Sequence, residues 1–87
     1  METRVAVISI IVENLESVEA LNQKLHDYNE FIIGRMGIPY RVKGVNIICV
    51  ALDAPQNVIS TLSGTLGKLD GVSVKVAYSQ VMGNSEK

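Results

Sequence analysis

FIIGRMGIPYRVKGVNIICVAL, residues 31–52, holds two apolar runs joined by a connector of glycine and basic residues, and its reading decides the fold. Phe31 to Tyr40 is the weaker run. Gly34 and Gly37 interrupt it and Pro39 cannot donate to a ladder, which fits a strand at a sheet edge. Arg41 to Gly44 is a short connector. Val45 to Leu52 is apolar except at Asn46, as expected of an interior strand. The two runs together predict a β-hairpin.

On each side of the hairpin lie one strand and one helix. Upstream, Val5 to Val12 is β-branched apart from Ala6 and Ser9, and both of its faces are apolar, so it reads as a central strand. Glu13 and Asn14 break the run. Asn14 is placed to cap a helix whose positive end suits Glu16 and Glu19, and Leu15, Val18, Leu21, Leu25 and Tyr28 form one apolar stripe on it. Asn29 and Glu30 end this helix. Downstream, Asp53-Ala54-Pro55 reads as a helix entry, with proline near the first helical position. Ile59, Leu62, Leu66 and Leu69 make a second stripe, and Ser60, Gly64 and Gly67 a smooth side suited to close packing. Asp70-Gly71 is a turn. Val72, Val74, Val76 and Tyr78 then alternate with Ser73, Lys75, Ala77 and Ser79, the pattern of a half-exposed strand.

The order β-α-β-β-α-β gives an α+β fold, a ferredoxin-like two-layer sandwich with antiparallel sheet order 4-1-3-2. Residues 1–82 form a single domain, and residues 83–87 are expected to be a disordered tail. Right-handed crossovers put the first and third strands in the middle of the sheet and both helices on one face. The other face has no cover within the chain, although Val5, Val7 and Ile11 point to it. An uncovered apolar strip of that kind predicts a homodimer or homotetramer built through the sheet.

Composition narrows the function. Hydrophobic residues make up 47% of the 87 and aromatics 5%, so the core is aliphatic. A domain of this size buries only roughly 60 to 65% of its unfolded surface, which makes further burial between copies valuable. The net charge of −1 gives no global attraction for nucleic acid or an anionic membrane. Locally, Glu13, Glu16, Glu19, Asp27 and Glu30 against Lys24 make the first third acidic, whereas residues 31–52 carry Arg35, Arg41 and Lys43 with no acid. The single cysteine, Cys49, lies in an apolar run, reads as a core residue and fits a reducing compartment. The apolar stretch near the start of the chain is too short to span a bilayer and no signal peptide is evident. The expected location is cytoplasmic, away from membranes.

No catalytic constellation is present. Gly64-Thr65-Leu66-Gly67-Lys68 has the wrong spacing for a phosphate loop, and Leu69 follows the lysine where Ser or Thr is needed. His26 and Cys49 cannot by themselves complete a zinc site, so no metal or cofactor is expected. His26 is far along a helix from the hairpin, which leaves no general base there and argues against an enzyme. The best cluster for a small anionic effector is Gly34, Arg35, Gly37, Tyr40, Arg41 and Lys43, beside Gly44. Glycine admits a ligand to the backbone and arginine holds a carboxylate or phosphate by two bonds. The competing reading is a twisted edge hairpin whose charges are solvated or paired between subunits. Direct DNA binding is not expected, since the patch is small and Tyr40 is its one stacking ring.

Three stretches, GRMGIPY at 34–40, GVNII at 44–48 and LSGTLGKLDGVSVKV at 62–76, resemble the iron-only hydrogenase system regulator family over roughly residues 4 to 80. That resemblance implies a regulatory role. The chain is also similar, more remotely, to ACT-like regulatory domains and to the C-terminal half of the nickel-responsive repressor, which assemble through their sheets. The repressor's nickel ligands would fall near Gly37, Pro39 and Val45, none of which binds nickel, and its DNA-binding half has no counterpart. The Pro-Gly type loop of amino-acid-binding ACT proteins is replaced by Glu13-Asn14-Leu15. The resemblance therefore implies an oligomeric regulatory or sensor domain acting through a partner, with a purely structural assembly module as the alternative.

Overall fold

Strands whose apolar residues alternate and helices whose apolar residues recur every three or four positions can share one core only if the helices lie on the sheet. The computed structural model describes residues 2–84, with side-chain surroundings as far as residue 81. The elements are β1 (Glu2–Val12), α1 (Val18–Asp27), β2 (Ile32–Tyr40), β3 (Val45–Ala54), α2 (Gln56–Gly67) and β4 (Val72–Asn84), with 3₁₀ turns at Leu15–Ser17 and Asn29–Phe31. The four strands form one antiparallel sheet in the order β2-β3-β1-β4, which counted from the other edge is 4-1-3-2. The architecture is α+β with two helices and a four-stranded sheet, compatible with a ferredoxin-like fold.

One parity of each central strand makes the core. Ala6, Ile8, Ile10 and Val12 of β1 and Ile48, Val50, Leu52 and Ala54 of β3 are buried against Leu21 and Leu25 of α1 and Ile59, Leu62 and Leu66 of α2. The opposite parity is left open, with Val5 41%, Ile11 46% and Ile47 40% exposed. This parity also holds Cys49, which is half-buried on the open face and not in the core. Its neighbours Ile48 and Val50 take the helix side, so the period of two sends the thiol the other way.

The joints differ from the sequence reading in four places. Leu15 is exposed, and Ser17 is buried in its stead. The chain enters α1 through a 3₁₀ turn, which advances 120° per residue and moves Leu15 off the stripe, while Ser17, Leu21 and Leu25 fall in line at steps of four. Asp53 and Ala54 belong to β3, opposite Val5 and Arg4, and Pro55 is the N-cap of α2. The smooth side of α2 is not a packing surface, because a Cβ at Gly64 would meet nothing within 4 Å and one at Gly67 only Val74 at 3.9 Å. Backbone pairing of β4 continues through Gly83 and Asn84, opposite Thr3 and Glu2, so the expected tail is strand at those two residues; 85–87 lie outside the described residues.

Two side chains lock the layers. Asn14 Oδ1 accepts from Glu16 N–H at 3.0 Å, as expected of a cap, and its amide donates to Asp70 at 2.6 Å. Ser17 Oγ donates to the Asp70 carbonyl at 2.6 Å. Gly71, at φ +70°, sits so close that a Cβ there would stand 2.6 Å from Asn14 Cβ. At the far end of the sheet a bulge sets Ser79 to Val81 of β4 against Val5 alone. Arg4 ties this corner down, donating to Gln56 Oε1 at 2.8 Å and to the Ser79 carbonyl at 3.0 Å with its guanidinium 4.6 Å from the Tyr78 ring centre.

Candidate functional site

The hairpin cluster does not converge on one point. Register sets Arg35, Gly37 and Pro39 opposite Val50, Ile48 and Asn46, and two of these partners are buried on the helix side. Gly34, Met36, Ile38 and Tyr40 therefore face the open side. Arg41 and Lys43 are exposed in the turn that Gly44 closes at φ +67°, with Gly44 N–H donating to the Arg41 carbonyl at 3.2 Å. From Gly34 to Tyr40 the strand runs about 20 Å, so no small ligand touches all six residues.

Arg35 and Gly37 do share a cleft between the edge strand and α1. Its volume is about 210 Å³, and Val18, Asn22, Ile38, Pro39, Asn46 and Ile48 complete its lining. Arg35 Nη2 donates to Asn22 Oδ1 at 2.8 Å, which aims the guanidinium into the cleft while leaving four of its N–H groups available. The Asn46 amide is half-buried in the same lining. Gly37 is open, since a Cβ there would meet nothing within 4 Å. The cleft thus brings one fixed cation and two carboxamides over an aliphatic floor, with no carboxylate in its lining. A bidentate contact from arginine to a carboxylate or phosphate suits that chemistry. The volume is below that of drug-sized pockets and fits a small metabolite.

Asn22 and Asn46 are the members that sequence reasoning missed. Asn46 left a trace there as the polar break in an apolar run. Asn22 left none, because which face of α1 meets the edge strand is a tertiary fact.

Other features fit an anion less well. On the open side a trough of about 260 Å³ is lined by Gly34, Arg35, Met36, Cys49 and Ala51, with a mostly apolar wall. A hollow of about 580 Å³ at the start of α2 carries two carboxylates, Glu2 and Glu30, which repel an anion. His26 is exposed on α1. Among the described residues no three His, Cys, Asp or Glu side chains are grouped to hold a metal ion, and no helix is long and apolar enough to cross a membrane.

The model of the family described as "TM1266-like: Iron-only hydrogenase system regulator, putative" matches residues 4–76. Among solved structures the chain is similar to uncharacterized protein TM1266 from Thermotoga maritima, at 32% identity and a TM-score of 0.84 over 87% of this chain and 96% of that one. It is also similar to a formyltetrahydrofolate deformylase from Pseudomonas putida KT2440, at 13% identity and a TM-score of 0.60 over 84% of this chain and 28% of that one. At that identity the second likeness concerns the fold alone. Among curated proteins nothing matches significantly.

Proposed function

The chain belongs to the TM1266-like family of iron-only hydrogenase system regulators, and from that membership we propose that it is a non-catalytic, ACT-like regulatory domain sensing a small carboxylate. The effector lies in the cleft of Arg35, Asn22, Asn46 and Gly37, and copies assemble through the uncovered face of the sheet. The observation that carries this reading is the Arg35 guanidinium, held by Asn22 over an aliphatic floor with no acid beside it. Charge-assisted bonds of that kind contribute about 1.5 to 3 kcal/mol each when solvent is partly excluded. Arg41 and Lys43, at the exposed hairpin tip, add a longer-range positive field that draws an anion toward the edge strand. The domain acts through a protein partner of the hydrogenase system, a reading supported by the net charge of −1, which gives no global attraction for nucleic acid.

A second reading, an assembly module without ligand, is favoured by the same hydrogen bond, because Asn22 also gives Arg35 a purely structural partner. Thermal unfolding in the presence of a panel of short mono- and dicarboxylates separates the two. A specific effector should raise the melting temperature of the wild type, and Arg35→Ala should remove the rise. If no carboxylate shifts the wild type, or if the rise survives in Arg35→Ala, the sensor reading fails and the assembly module stands.

A further inference from the structure

We infer that the uncovered face of the sheet pairs with the same face of a second copy in one register, fixed by two reciprocal ion pairs between Asp53 and Lys75. The inference rests on the assembly part of the proposed function and is independent of the effector. The described strands contain five charged residues, Glu2, Arg4, Arg35, Asp53 and Lys75. Glu2, Arg4 and Arg35 are engaged toward the helices, lining the hollow beside α2, donating to Gln56 and donating to Asn22 respectively. Asp53 and Lys75 remain. Asp53 stands opposite Val5, and Lys75 stands opposite Ser9, both on the open parity.

These two groups cannot meet within one chain. They are separated by two strand spacings and by four residues along the strand, a distance of about 17 Å between backbones. A two-fold axis lying along the face and exchanging the two positions passes through their midpoint. By register that midpoint is Val7, which is opposite Ala51 of β3 on one side and Ala77 of β4 on the other. Small side chains at the axis let the two sheets approach. Farther out, Ile11, Ile47 and Ile38 lie side by side across three strands and are 46%, 40% and 44% exposed, which adds apolar surface to the same face. An isologous contact of this kind makes both ion pairs at once.

The charge pattern selects the occupant. A face with one acid and one base is complementary to itself, whereas a partner with charge of a single sign would leave Asp53 or Lys75 desolvated and unpaired, which is costly. The face is small, about 19 Å across four strands and about 27 Å along them, so two copies bury at most on the order of 1,000 Å² of footprint. That is the low end for a specific interface, where opposite charges decide register more than area does.

A charge swap on the full chain tests the pairing, with self-association measured by analytical ultracentrifugation and folding by circular dichroism. Asp53→Lys and Lys75→Asp should each weaken association by about tenfold or more, because each sets like charges face to face. The double variant D53K/K75D should recover association to within a few-fold of wild type. The neutral variants Asp53→Asn and Lys75→Gln should weaken it less and serve if a reversal perturbs folding. The pairing is overturned if the wild type associates and the single reversals associate equally well, or if the folded double variant fails to recover. A wild type that stays monomeric at every concentration removes sheet assembly and this register together. The effector reading is then still decided separately, by the carboxylate-dependent melting shift and its loss in Arg35→Ala.

Discussion

Ile10 and Ile11 are neighbours in β1 with the same side-chain composition, yet Ile10 is 1% exposed and Ile11 46% exposed. The contrast holds across the sheet: Ile48 against Ile47, Val50 against Cys49, Leu52 against Ala51. One face is closed by two helices whose stripes of Leu21, Leu25, Ile59, Leu62 and Leu66 are fully buried. The other face is apolar by sequence and bare by structure. A central strand that is apolar on both sides is the pattern of a sheet covered twice. Here the chain provides one cover, so half of the hydrophobic pattern is left unused within a single copy.

Paired substitutions break or sharpen this contrast. The largest effect is expected at Ile10→Ala, which should cost about 2 to 5 kcal/mol in urea unfolding because it opens a cavity between sheet and helices. A loss below about 1 kcal/mol would mean that the covered face is loosely packed. Next is Gly71→Ala, at the turn that holds the α1 entry against β4. A positive φ and a Cβ 2.6 Å from Asn14 should together cost on the order of 1 to 3 kcal/mol, read as a lowered melting temperature. If alanine is tolerated there, the Asn14–Asp70–Ser17 lock does not fix the layers.

The smaller effects probe the exposed sides. Gly64→Ala, where nothing lies within 4 Å of the new methyl, should stabilise α2 by about 0.5 to 1 kcal/mol through backbone entropy. A destabilised variant would place a neighbour on the outer side of α2. Ile11→Ala should change the stability of a dilute single copy by no more than about 0.5 kcal/mol, while flattening the dependence of melting temperature on protein concentration. An Ile11→Ala loss as large as that of Ile10→Ala, persisting on dilution, would erase the distinction between the faces.

Much of the fold was legible because periodicity is local. The unbroken apolar run of Val5 to Val12, the alternation of Val72 to Ser79 and the steps of Leu21, Leu25, Ile59, Leu62 and Leu66 are properties of consecutive residues, and they identified each element without knowledge of its neighbours. The joints were less legible. Leu15 fits the helical spacing, but the 3₁₀ turn shifts its phase. Asp53 and Ala54 look like a helix entry, but their ladder with Val5 and Arg4 holds them in β3. The candidate site was half legible: arginine and glycine in one hairpin pointed to Arg35 and Gly37, whereas pairing sent Gly34 and Tyr40 to the open face and left Arg41 and Lys43 at the tip.

By itself, then, the sequence determined which segments are strands and helices, that the first and third strands run through the middle, and that more apolar surface exists than two helices can hide. Only the tertiary structure decided which parity of β3 turns inward. That choice is set by pairing with β1 and by the side on which α1 and α2 pack, neither of which is encoded in the apolar run of β3 alone. From it follow the half-buried place of Cys49 on the open face, the meeting of Asn22 and Asn46 around Arg35, and the turning of Asp53 to the face that Lys75 of β4 shares, each the result of residues far apart in the chain being brought onto one surface.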